Sequence, residues 1–451
     1  MRALRSFGLV VAPLLALSTL VPLTAEVAPI VRNPADPAYR VHLHTGPKGA
    51  VWAGHERITF TNADPTPLDT IWIRIWSNGV QGCDPLAIDV TNVTGGTAGA
   101  LSVDCTAMPV DLDAPLDPGG RTSVEMDVRI ELPAINDRFG RYGGVSLAGT
   151  ALPTLAIHDD DGWHLDPFAD LGESFYSIVG EYTVDLTVPR ALDTAATGRL
   201  KKTTKTGTRE IRRYVAHDVR DFEWAAGHLA RLHERDDNGV RVNVWYRKAI
   251  VSKPEASHML HAALKSMNEF SGDFGAYPYP EVDVVLSAFT TFGGMEYPQI
   301  VFSNPVRYTV SHELAHQWWY GIVGDDEYAE PWLDESFATW SQYLPFDPWK
   351  NCQAYGWPSA DARITNDMAY WSTHASQYWV IYSQGGCMLA NLSHRFGFHD
   401  FLDLLAEHAG NAWLGVARTE DFQQVIEDAA AVQLPSFDVD AFWSDWRVGP
   451  P

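Results

Sequence analysis

The chain has 451 residues, 46% of them apolar and 20% charged, which suits two or three globular domains with substantial cores. Its formal net charge is −24, which argues against nucleic acid or an anionic membrane surface as a partner. The same acidity keeps the chain soluble and mildly favours cationic substrates.

Residues 1–25 read as a secretory signal peptide. Arg2 and Arg5 form a short basic start, an apolar stretch follows over 7–23, and Ala25 offers a cleavage point. Pro13 and Pro22 interrupt the apolar run, which is short for a spanning helix, and no other stretch is long enough to cross a bilayer. The expected product is secreted or periplasmic, with no stable membrane association after cleavage. The four cysteines fit export, and of three possible pairings two local disulfides, Cys83 with Cys105 and Cys352 with Cys387, are the simplest.

Residues 26–246 carry strand signals. Val124, Met126, Val128, Ile130 and Leu132 alternate with charged residues, and Tyr182, Val184, Leu186 and Val188 alternate with Thr183, Asp185 and Thr187 up to Pro189. Another strand is expected over 71–76, and Asp117-Pro118-Gly119-Gly120 marks a turn. The basic stretch 199–205 reads as a solvated hairpin tip. This part is expected to be an all-β domain.

From 247 to 451 the period changes. Leu260, Leu264, Met267 and Phe270 recur at helical spacing, 282–286 is a short apolar strand, and helices are expected over 308–320, 379–396, 399–408 and 419–430, with Thr419 as N-cap. The whole is an α+β multidomain chain: an N-terminal β-sheet domain followed by a mainly α domain.

The chemistry concentrates in His312-Glu313-Leu314-Ala315-His316. Histidines at i and i+4 share one helical face, so both imidazoles can reach one zinc ion, and Glu313 beside them can take a proton from water. After eighteen further residues comes Glu335, in Trp332-Leu333-Asp334-Glu335. A carboxylate from a second helix completes a two-histidine, one-glutamate set, and ligation removes the cost of burying it unpaired. His258, His261, His394 and His399 lack a third partner and read as surface or packed residues.

These motifs resemble the M1 family of zinc aminopeptidases. The spacing H-E-x-x-H, eighteen residues, E matches, as do Gln317-Trp318-Trp319-Tyr320-Gly321 and Trp332-Leu333-Asp334-Glu335. Gly293-Gly294-Met295-Glu296-Tyr297 resembles the family's G-x-M-E-N segment, with Gly294 for the common Ala and Tyr297 for Asn. Tyr382-Ser383-Gln384-Gly385 resembles Y-x-K-G, with Gln384 for the frequent Lys. The resemblance is strongest over 282–392. It implies a thermolysin-like catalytic domain in a compact two-domain member, with one Zn2+ per chain held by His312, His316 and Glu335. Glu313 is the implied general base and Tyr382 the oxyanion donor. Glu296 is implied to bind the free amino terminus, with Gly293, Gly294 and Met295 beside the substrate. The expected activity is removal of N-terminal residues from peptides. It further implies a Gln or Glu from the β domain near the substrate amine, for which nothing between Leu152 and Glu173 matches. A zinc endopeptidase or other zinc hydrolase of the same fold, such as one acting on an epoxide, is the alternative. A third reading is an inactive zinc-containing binding protein.

Overall fold

Alternating burial builds the first half. In the computed structural model, which describes residues 30–348, 352 and 356–449, strand Arg121–Glu131 buries Val124, Met126, Val128 and Ile130 and turns the intervening side chains outward. It belongs to a seven-stranded sheet ordered Arg199–Thr206, Arg209–Val219, Gly180–Pro189, Ala35–Thr45, Val51–Thr61, Arg121–Glu131, Ile88–Thr94. Ala35–Thr45 pairs with Gly180–Pro189 in parallel, and the other pairs are antiparallel. The basic stretch expected at a hairpin tip is instead a whole edge strand, Arg199–Thr206, exposed along its length. Its lysines blunt an edge that would otherwise invite pairing. The expected strand at 71–76 runs Leu68–Arg74 and hands over to a 3-10 turn, Trp76–Val80.

A five-stranded sheet leads to the second half. Ala230–Arg235 pairs with Arg241–Tyr246, which lies parallel to Glu281–Leu286, then Ile300–Ser303, with Gly294–Met295 antiparallel at the edge. Sheet pairing thus runs on past position 246. Eight α-helices follow among the described residues: α1 Lys253–Asp273, α2 Arg307–Ala315, α3 Trp332–Ser341, α4 Met368–Thr373, α5 Trp379–Phe396, α6 Phe398–Asn411, α7 Thr419–Gln433 and α8 Val439–Trp446. Ser252 caps α1, its side chain accepting from the Glu255 N–H while Glu255 reaches back to the Ser252 backbone.

Two expectations shift. The helix expected over 308–320 ends at Ala315, because the chain turns: the Gly321 N–H donates to His316 O at 2.8 Å and the Val323 N–H to Trp318 O at 2.8 Å. Thr419 is not the cap of α7. Its hydroxyl accepts from Trp332 Nε1 at 2.9 Å, and the cap falls at Arg418, whose N–H donates to Asp421 at 2.8 Å.

From Val31 onward the described residues pack as one unit with a hydrophobic core continuous from the strands to the helices. Cys83 pairs with Cys105 and Cys352 with Cys387. No helix among the described residues is long and apolar enough to cross a membrane. The expected signal segment lies outside the described residues.

Candidate metal centre

Three elements converge on one cavity of about 860 Å3. α2 supplies His312 and Glu313, and His316 follows at its C-cap. α3 supplies Glu335, and α5 supplies Tyr382. The facing nitrogens of His312 and His316 are 3.2 Å apart, and Glu335 Oε2 lies 3.0 Å from His312 Nε2 and 3.5 Å from His316 Nε2. A tetrahedral ion with ligands at about 2.0–2.1 Å has ligand–ligand edges of about 3.3 Å. The three separations bracket that value.

The tautomer agrees. His316 Nδ1 lies 3.0 Å from Trp319 O. A carbonyl can only accept, so Nδ1 carries the hydrogen and the Nε2 lone pair faces the set. The turn that cuts α2 short is what brings the Trp319 carbonyl back under this ring. The donors fit one Zn2+ ion.

Around the donors the site is acidic and buried. Glu335 is pushed up by burial but pulled well below the usual carboxylate range by His312 and His316. Glu313, 4% exposed, is pushed well up by burial and by the charges of Glu335 and Glu173. Glu296 is raised by burial and then by Glu173, Glu327, Glu313 and Glu335. A cation among these groups reverses that direction. Tyr382 keeps its proton, raised by burial and by Glu335, and donates to Glu335 Oε1 at 2.7 Å.

Glu296 follows the edge strand Gly294–Met295 and is 3% exposed. It offers an oxygen within 4.8 Å of ligand atoms of Glu313 and His316. Gln317 fixes its backbone: the side-chain amide donates to Glu296 O at 3.1 Å and Tyr297 O at 3.0 Å, and accepts from Tyr277 Oη at 2.9 Å and Gln299 N at 2.8 Å. Gly293 and Gly294 line the cavity with Glu296. Met295 does not line it. Buried at 1%, it contacts Arg138 Nη1 through Sδ at 3.2 Å, since neighbouring side chains on a strand face opposite ways. His258, His261, His394 and His399 are exposed.

Sequence reasoning missed Glu173. It lines the cavity from the β half and pairs with Arg138, whose second nitrogen donates to Gly172 O at 3.0 Å. Arg138 lies over the rings of Phe168 and Phe175 at 5.6 and 5.5 Å. Glu173 sits in a segment without periodicity, and its partner is 35 positions away. The only local signal was the preceding Gly172, where a Cβ would run into Tyr378 Oη.

Two histidines and a glutamate at these separations suit a single zinc ion. Residues 258–446 match the Peptidase family M1 domain. Aminopeptidase M1-B and M1-D of Oryza sativa subsp. japonica are 27% identical over 223 residues and 29% over 204. Those matches take in 42% and 38% of this chain but only 25% and 23% of the relatives' own length. Human aminopeptidase N is 26% identical over 155 residues, covering 30% of this chain and 16% of that protein. The crystal structure of an M1 zinc metallopeptidase from Deinococcus radiodurans superposes with a TM-score of 0.63 at 18% identity, over 92% of this chain and 94% of that one. The shared fold therefore reaches through the β half, beyond the M1 match.

Proposed function

We propose that this protein is a zinc-dependent aminopeptidase that removes N-terminal residues from peptides. The observation that carries the reading is the meeting of a complete His312, His316, Glu335 set with two further acids, Glu313 and Glu296, inside one cavity. A bound zinc ion supplies a Lewis acid for the scissile carbonyl and makes water more acidic.

The chain's own groups do the rest. Glu313, buried beside the donors, takes the proton from the attacking water and passes it to the leaving amine. Tyr382 supplies a hydroxyl hydrogen to the developing oxyanion, a contribution on the order of 3–4 kcal/mol for such donors. Glu296 and Glu173 form an acidic end to the cavity that suits a protonated α-amine. Because Glu296 lies so near Glu313, an amine held there presents only the first peptide bond to the water. Gly293 and Gly294 let a peptide backbone approach, and the edge strand offers it hydrogen bonds. The tripeptide Tyr-Ser-Ala, bound as substrate by a variant of the Deinococcus metallopeptidase, is a ligand of the class proposed here. The paired cysteines support an oxidising compartment, in keeping with export.

The test compares hydrolysis of leucine p-nitroanilide with its N-acetylated form. Cleavage of the free amine alone is expected. It should be lost to a zinc chelator and fall by about 10²–10⁴-fold in Glu313→Gln with zinc retained. Equal cleavage of both substrates would remove the amine-anchoring role of Glu296 and leave a broader zinc hydrolase.

A further inference from the structure

Behind Glu296 lie two further acids, Glu327 and Asp334, to which the proposed reaction gives no role. Glu296, Glu327 and Asp334 offer oxygens all within 4.8 Å of one another. They are 3%, 0% and 1% exposed, and only Glu296 lines the cavity. Glu327 Oε2 accepts from Phe175 N at 2.8 Å, and Asp334 Oδ1 accepts from Glu335 N at 2.6 Å. Glu296 Oε1 and Glu327 Oε1 are sealed from solvent with no hydrogen-bond partner.

Asp325 adds to the imbalance. It is 4% exposed, neither of its oxygens has a partner, and its charge bears on both Glu327 and Asp334. The guanidinium whose charge reaches Asp325 is that of Arg220, and it is committed to backbone carbonyls: Tyr320 O at 2.6 Å, Ser177 O at 2.7 Å, Ile322 O at 3.3 Å, and Gly415 O. Buried carboxylates persist when paired, protonated or bound to a metal.

We propose that Glu296, Glu327 and Asp334 form a second, all-oxygen cation site that takes a hard divalent ion, Ca2+, with Asp325 adding negative charge beside it. The donor chemistry excludes a second zinc site of the usual kind, since no nitrogen or sulfur takes part. Calcium binds carboxylate oxygens at about 2.3–2.6 Å in flexible geometry, which three acids gathered within 4.8 Å of one another can supply. Magnesium has shorter bonds and keeps several waters, which oxygens sealed from solvent do not accommodate. The inference stands apart from the peptidase reading but touches it at Glu296, which such an ion would hold rigidly from behind.

The test takes the full zinc-loaded chain and Ca2+ itself. Equilibrium dialysis against CaCl2 at constant ionic strength, read by metal analysis, should find one saturable calcium beside the zinc. The Tm should rise with Ca2+ and not with matched Mg2+ or Na+. Glu327→Gln and Asp334→Asn should each lose the calcium and the Tm response. Only weak, unsaturable uptake, equal in wild type and variants, with no calcium-specific shift in Tm, overturns the proposal and leaves acids that share protons. The wild-type measurements decide the matter even if a variant fails to fold.

Discussion

At position 294 one hydrogen atom separates this chain from a different active site. A Cβ built on Gly294 would lie 2.4 Å from Glu313 Oε1 and 2.6 Å from Phe302 O. Both the carboxylate and the strand pairing would have to shift. Gly294→Ala is therefore expected to cost about 1–3 kcal/mol of stability through overpacking and to lower kcat about 10–100-fold, since misplacing a reacting group by about 1 Å costs that order of rate. Circular dichroism, metal analysis and steady-state kinetics check it together. Unchanged kcat would show that Glu313 relaxes without loss, or that its carboxylate is not the base.

Among elements, the contact that matters is between α3 and α5. Ser336, next to Glu335, donates to Ile381 O, next to Tyr382, at 2.5 Å. A Cβ on Gly385 would lie 1.8 Å from Ser336 Oγ. The glycine thus lets the helix carrying a donor pack against the helix carrying the tyrosine. Gly385→Ala should destabilise by about 1–3 kcal/mol through overpacking, read by denaturant unfolding, and should weaken zinc retention in a competition with a chelator. A variant with wild-type stability and zinc affinity would mean that the two helices separate freely.

This contact also shows what the sequence could convey. Period-two strands and i, i+4 histidines are local patterns, so the β half, α5 and the donors His312 and His316 were legible without coordinates. The fit of Glu335 into the set depended on a recognised spacing, because its own helix is buried on every side and has no distinguishing face. The end of α2, the place of Glu173 and the orientation of Met295 were not legible. Each is fixed by a partner far along the chain or by a backbone turn with no side-chain period.

Across the whole molecule, His164 ties the two halves. Its Nε2 lies 2.8 Å from Asp159 Oδ1, in the two-stranded hairpin, and its Nδ1 lies 3.0 Å from Asp326 Oδ2, in the loop that leads to α3. Burial lowers its pKa, but the two carboxylates outweigh that and raise it to about 9. With an unfolded value of about 6.5, the stabilisation is fully present below pH 6.5 and is lost as pH rises through about 9. Tm measured from pH 6 to pH 10 should fall on the alkaline side in wild type, and His164→Gln should be less stable at pH 6 and flatter above it. Parallel profiles for the two proteins would show that the imidazolium carries no such load.

Gln317 gives the molecule one more property. It directly follows His316, and its amide holds the backbone of Glu296. On the roles proposed for His316 and Glu296, filling the donor set and binding a peptide amine are expected to be coupled through this joint, and such a linkage is reciprocal. On the proposed roles, a peptide held by its amino terminus slows the escape of the metal, and a chain stripped of metal loses much of its grip on peptides. The enzyme is then most resistant to chelation while it is at work.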